Sequence, residues 1–65
     1  MKGYSSKEII KILEADGWYL VRIKGDHYHF KHPTKRGIVT VPHPNRNLKA
    51  GTLKSIEKQS GLKFN

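Results

Sequence analysis

Four histidines, His27, His29, His32 and His43, fall within seventeen positions of this 65-residue chain. An unperturbed pKa of about 6.5 lets histidine take up and release protons near neutral pH, which suits acid–base catalysis. RNA asks for little else, because it carries its own nucleophile. A catalyst must deprotonate the 2′-hydroxyl, stabilise charge on phosphorus and protonate the departing 5′-oxygen. Two other readings of the histidines stand beside this one. His27 and His29 would place two imidazoles on one strand face, a spacing metals tolerate, but a site needs three or four ligands. There is no cysteine to help, and strand parity would turn Asp26 to the opposite face. Histidine also sits without chemical role on the surface of basic proteins. His29 and His32 fit that reading, and His43, flanked by Pro42 and Pro44, is open.

Cations suited to a phosphate or its transition-state charge surround the first two histidines. Lys31 lies two positions from His29, Lys24 flanks the preceding turn, and Lys35 and Arg36 occupy the following one. Each is also readable as a solvated surface charge. The balance of the whole chain gives these residues a direction. Thirteen Lys and Arg against five Asp and Glu make a net charge of +8, which implies an anionic partner: nucleic acid, an acidic protein or an anionic membrane. A membrane-surface helix would gather its cations on one face. Here they are spread over every segment, so a membrane ranks last.

Size and composition limit the site further. The length suits one domain, residues 1–65, and a domain of about 60 residues buries only roughly 60% of its unfolded surface. An open surface site and a large substrate are therefore expected. The absence of cysteine removes disulfides and thiolate chemistry and fits the reducing cytoplasm. The opening MKGYSSKEII has no signal-peptide character, and no run approaches the ~20 apolar residues of a membrane span. No cofactor and no metal are expected.

Five elements would position these groups. A helix is predicted from about Ser6 to Asp16. Ser5 and Glu8 have capping-box spacing, Ile9, Ile12 and Leu13 form an apolar stripe widened by Ile10, and Gly17 stands at the C-cap. A strand follows over Tyr19–Lys24, and Gly25-Asp26 makes a turn. The next strand, His27–His32, alternates. Tyr28 and Phe30 should face the core, which leaves His27, His29 and Lys31 on the other face. Pro33, Thr34 and Gly37 turn the chain into a strand over Ile38–Val41, with Val39 and Val41 inward and Thr40 outward. Pro42–Asn47 reads as a loop, because its prolines remove ladder donors. A last helix spans about Ala50–Gln59, with Leu53 and Ile56 inward, Gly61 as C-cap and Leu62 closing it. The order is α-β-β-β-α. It predicts an α+β fold in which a three-stranded antiparallel meander has both helices on one face, the outline of a double-stranded-RNA-binding domain. Charge and periodicity serve a non-catalytic RNA-binding module as well as an enzyme.

Gly25-Asp26-His27-Tyr28-His29-Phe30 resembles the signature of the HicA family: a glycine, a Ser or Asp, an essential histidine and an aromatic closing the strand. Gly17-Trp18 after the first helix, Lys31-His32-Pro33 and Val39-Thr40-Val41-Pro42 resemble family segments at the same places. Leu48-Lys49-Ala50-Gly51-Thr52-Leu53-Lys54-Ser55-Ile56 resembles the family's LKPGTLRSI helix entry, and Ser60-Gly61-Leu62 its AGL ending. The resemblance implies a ribosome-independent mRNA endonuclease, the toxin of a toxin–antitoxin pair, inhibited by a HicB antitoxin that covers its catalytic surface. Through it His27 matches the catalytic histidine and Gly25 the turn glycine, with His29 as a possible auxiliary. Two positions depart from the pattern. Tyr28 replaces a second histidine but faces the core, and Ala50 stands where many relatives carry proline, which costs only local preorganisation.

Overall fold

The structure, a computed structural model, describes residues 3–64. Its elements are α1 (Ser6–Ala15), β1 (Tyr19–Lys24), β2 (His27–Lys31), β3 (Val39–Pro42) and α2 (Ala50–Ser60). The strands form one antiparallel sheet in the order β1-β2-β3, with the α+β topology of a double-stranded-RNA-binding domain.

Each boundary has a local cause. At the start of α1 the capping box is complete: Ser5 Oγ accepts from the Glu8 backbone N–H at 3.2 Å, and Glu8 Oε1 accepts from the Ser5 N–H at 2.8 Å. At its end Asp16 is the C-cap rather than a helical residue, and Gly17 follows with φ 105°. Between β1 and β2 the turn has just two residues, since Lys24 pairs with His27. Gly25 has φ 62° and no other type of residue has positive φ among the described residues, which gives the type II′ pattern, with glycine at its first central position. Pro42 is a correction to the sequence reading. It is the last residue of β3, opposite His27, and not part of the loop. An edge strand tolerates a proline at its end because few ladder bonds are lost there.

Tyr4, Ile9, Leu13, Trp18, Phe30, Val39, Val41, Leu48, Leu53, Ile56 and Phe64 form the buried cluster. The two helices rest mainly on β3. The loop after β3 is stitched to the start of α1: Ser6 N–H donates to Asn45 O, Asn45 N–H donates to Ser6 Oγ, and Leu48 N–H donates to Tyr4 O, each at 2.8 Å. At the opposite edge, all six residues of β1 are exposed, despite their apolar composition.

Gly17 carries the tightest backbone constraint. A Cβ there would lie 2.8 Å from His32 Nε2, whereas one at Gly25 would meet nothing within 4 Å. Gly17→Ala is therefore expected to cost roughly 2–4 kcal/mol, from backbone strain plus a displaced hydrogen bond. Gly25→Ala should cost only the left-handed penalty of about 1–2 kcal/mol. Urea denaturation of both variants measures the difference.

Candidate functional site

Helices cover one face of the sheet, and β2 turns His27, His29 and Lys31 to the other. The register extends this row sideways. Lys24 pairs with His27 and Arg22 with His29 on β1, while Thr40 pairs with His29 on β3. Residues paired across antiparallel strands project to the same face. The open face therefore carries His27, His29, Lys24, Arg22 and Lys31 together. Arg22, His29, Lys31, Val21 and Ile38 line a shallow concavity of about 330 Å³.

His27 is exposed and lies at the first position after the hairpin turn. Asp26 Oδ1 is 3.7 Å from His27 Nε2, too long for a hydrogen bond but close enough to attract an imidazolium. This corrects the expectation that Asp26 faces away: strand alternation does not extend into the turn. The His27 and His29 rings stand edge to face with centroids 6.5 Å apart. His29 Nδ1 is 3.0 Å from Thr40 Oγ1, so its ring is held from the neighbouring strand while that of His27 is not. Among the described residues no three His, Asp or Glu side chains converge as a metal-binding group.

The remaining histidines are absorbed elsewhere. His32 Nδ1 accepts from the backbone N–H groups of Thr34 and Lys35, both at 3.1 Å, so its proton resides on Nε2, which donates to Asp16 O at 2.6 Å. Its ring packs edge-on against Trp18. It is an anchor between α1 and β2, a role for which its spacing offers no signal. His43 Nδ1 lies 2.7 Å from Ser6 Oγ, and its ring stacks edge-on against Tyr28. The pair resembles a nucleophile with its base, but Ser6 is buried and its oxygen already serves Asn45 N–H and Asn45 O.

Lys35 is not brought to the open face. Its ammonium bonds Asp16 Oδ2 at 2.6 Å and Ser60 O at 3.1 Å, joining the C-terminal ends of both helices. The sequence reading missed the acceptors because Asp16 and Ser60 are distant in the chain. Arg36 is exposed in the β2–β3 turn. Arg22, unremarked in the sequence reading, lies on the same open face, paired with His29. A two-residue turn that pairs Lys24 with His27 also sets Arg22 opposite His29, so the signal was present.

Residues 6–62 match the family model described as the HicA toxin of bacterial toxin–antitoxin. The chain belongs to the HicA toxin family. No curated protein matches it. The match spans every element that builds the open face of this HicA-family chain, from α1 to α2.

The Asp16 carboxyl is held below the usual carboxylate range, chiefly by the Lys35 hydrogen bond, which with the Lys35 charge and a smaller contribution from the Trp18 indole outweighs the opposing desolvation. A depressed folded-state pKa stabilises the fold above the unfolded value of about 3.9, and that contribution is lost as pH falls through the lower folded value. Acid melts should therefore show an Asp16-dependent fall in Tm below about pH 4. Asp16→Asn should start from a lower Tm at pH 7 and flatten that fall.

Proposed function

We propose that this chain is a ribosome-independent, metal-independent endoribonuclease that cleaves mRNA in the cytoplasm and is restrained by a HicB-type antitoxin. Membership of a toxin family supplies the biological setting. The observation that carries the chemistry is His27, exposed on a basic face with Asp26 beside it and Lys24 across from it.

In this reading His27 exchanges a proton with the RNA. Acting as base, it removes the proton of a 2′-hydroxyl. That oxygen attacks the adjacent phosphorus, the bond from phosphorus to the 5′-oxygen breaks, and the leaving oxygen takes a proton. The products are a 2′,3′-cyclic phosphate and a 5′-hydroxyl. Asp26 Oδ1, 3.7 Å from His27 Nε2, stands beside the imidazole that receives this proton. Lys24, Arg22 and Lys31 hold the phosphate and offset the charge that grows on it, with Arg36 available to the flanking backbone. His29, fixed by Thr40, is the nearest second proton carrier. The open sheet suits an extended polymer better than a small molecule.

His27→Ala should lower single-turnover cleavage of an RNA oligonucleotide by about 10²–10⁴-fold while leaving its affinity near that of wild type. Full activity in EDTA and a cyclic phosphate on the 5′ fragment are expected with it. Loss of activity on chelation would overturn the metal-independent chemistry. Undiminished binding with no cleavage by wild type would reduce the protein to an RNA-binding module. Separately, alanine at Arg22, Lys24 or Lys31 should each lower the salt slope of RNA binding by about 0.7, the share of one phosphate contact on a single strand. Lys35→Ala should leave that slope unchanged, since its ammonium is committed to Asp16 and Ser60.

A further inference from the structure

β1 is an edge strand whose outer side pairs with no other strand among the described residues, and four of its six residues are apolar. Tyr19, Leu20, Val21 and Ile23 are each between 44% and 51% exposed. In register with Phe30 and Tyr28, Leu20 and Ile23 lie on the helix side of the sheet. They remain open because the helices rest mainly on β3, at the far edge. Soluble proteins blunt their edges with charge, bulges or a covering element, since an apolar edge templates pairing with another chain. Here a register shift interrupts the strand between Leu20 and Arg22, and Arg22 and Lys24 charge it, but no element among the described residues covers it.

We propose that β1 is the docking edge for the antitoxin, which adds an extended, acidic segment to the sheet as a fourth strand. This rests on the toxin–antitoxin pairing and not on RNA cleavage. Two features select that occupant over a second copy of the chain. Antiparallel self-pairing centred on Ile23 sets Arg22 against Lys24 of a partner that also carries +8, and like charges directly opposed across strands are destabilising. An acidic strand meets both cations with the opposite sign, and its apolar side chains cover Leu20 and Ile23. Main-chain hydrogen bonds supply the affinity and alternate side chains the specificity, as in strand addition generally. The same geometry explains inhibition. A strand beside β1 lays its acidic side chains along the row that holds Arg22, Lys24 and His27, so it displaces phosphate without entering a pocket.

The test is amide hydrogen exchange by NMR on the full chain, alone and saturated with its cognate antitoxin. The outward-pointing amides of Tyr19–Lys24 should exchange at least about tenfold more slowly in the complex. Leu20→Lys and Ile23→Lys, both exposed in the free chain, should weaken antitoxin binding by roughly tenfold or more. Unchanged β1 exchange in a saturated complex would overturn the proposal, even if the variants fail to fold. So would protection of β1 that grows with concentration in the isolated chain, which would assign the edge to a second copy. Because no readout is catalytic, failure of the nuclease reading would leave these outcomes intact and distinguishable.

Discussion

Where α1 ends, the chain must reverse into β1 while the last turn of the helix still has carbonyls to satisfy. Asp16 organises this corner. Its backbone carbonyl accepts from His32, its carboxylate accepts from Lys35 and from the Trp18 indole, and Lys35 passes on to the last residue of α2. One residue thereby links the ends of both helices to the exit of β2. With a small core, a junction of this kind does work that a larger hydrophobic interior would do elsewhere. Gly17 has to lack a side chain because His32 comes so close to it.

Fixing the helices at this corner and over β3 has a consequence at the other edge. Three strands are wider than the layer that covers them, so β1 stands out with apolar side chains on both faces. The sheet thus has two unlike surfaces beyond the core. Its open face is basic and bears the histidines. Its free edge is apolar with cations interspersed. The two meet at Arg22 and Lys24.

The site itself is built from cross-strand pairing and a tight turn, not from a cavity. His27 owes its exposure to its place immediately after a two-residue hairpin, and His29 owes its orientation to Thr40 on the next strand. A larger groove, about 510 Å³, lies where Ser6, His43 and Arg46 meet. Its one nucleophile–base pair is consumed in holding the 43–46 loop to α1. The largest groove and the row of histidines thus lie on different parts of the molecule.

Much of this was legible in the sequence because it depends on local periodicity. The element order, the capping box at Ser5 and Glu8, the turn at Gly25 and the outward row of His27, His29 and Lys31 follow from neighbours a few positions apart. So did the family resemblance, which the match over residues 6–62 bears out. What the sequence could not decide were contacts between residues far apart in the chain. Composition alone makes Lys35 a phosphate ligand and His32 a surface residue. Tertiary structure instead spends both on Asp16, because the end of α1 packs beside the exit of β2. Composition likewise makes β1 an apolar strand without saying what covers it. Only the placement of the helices over β3 leaves it uncovered, and no periodicity within six residues records where a helix that begins at Ala50 will lie.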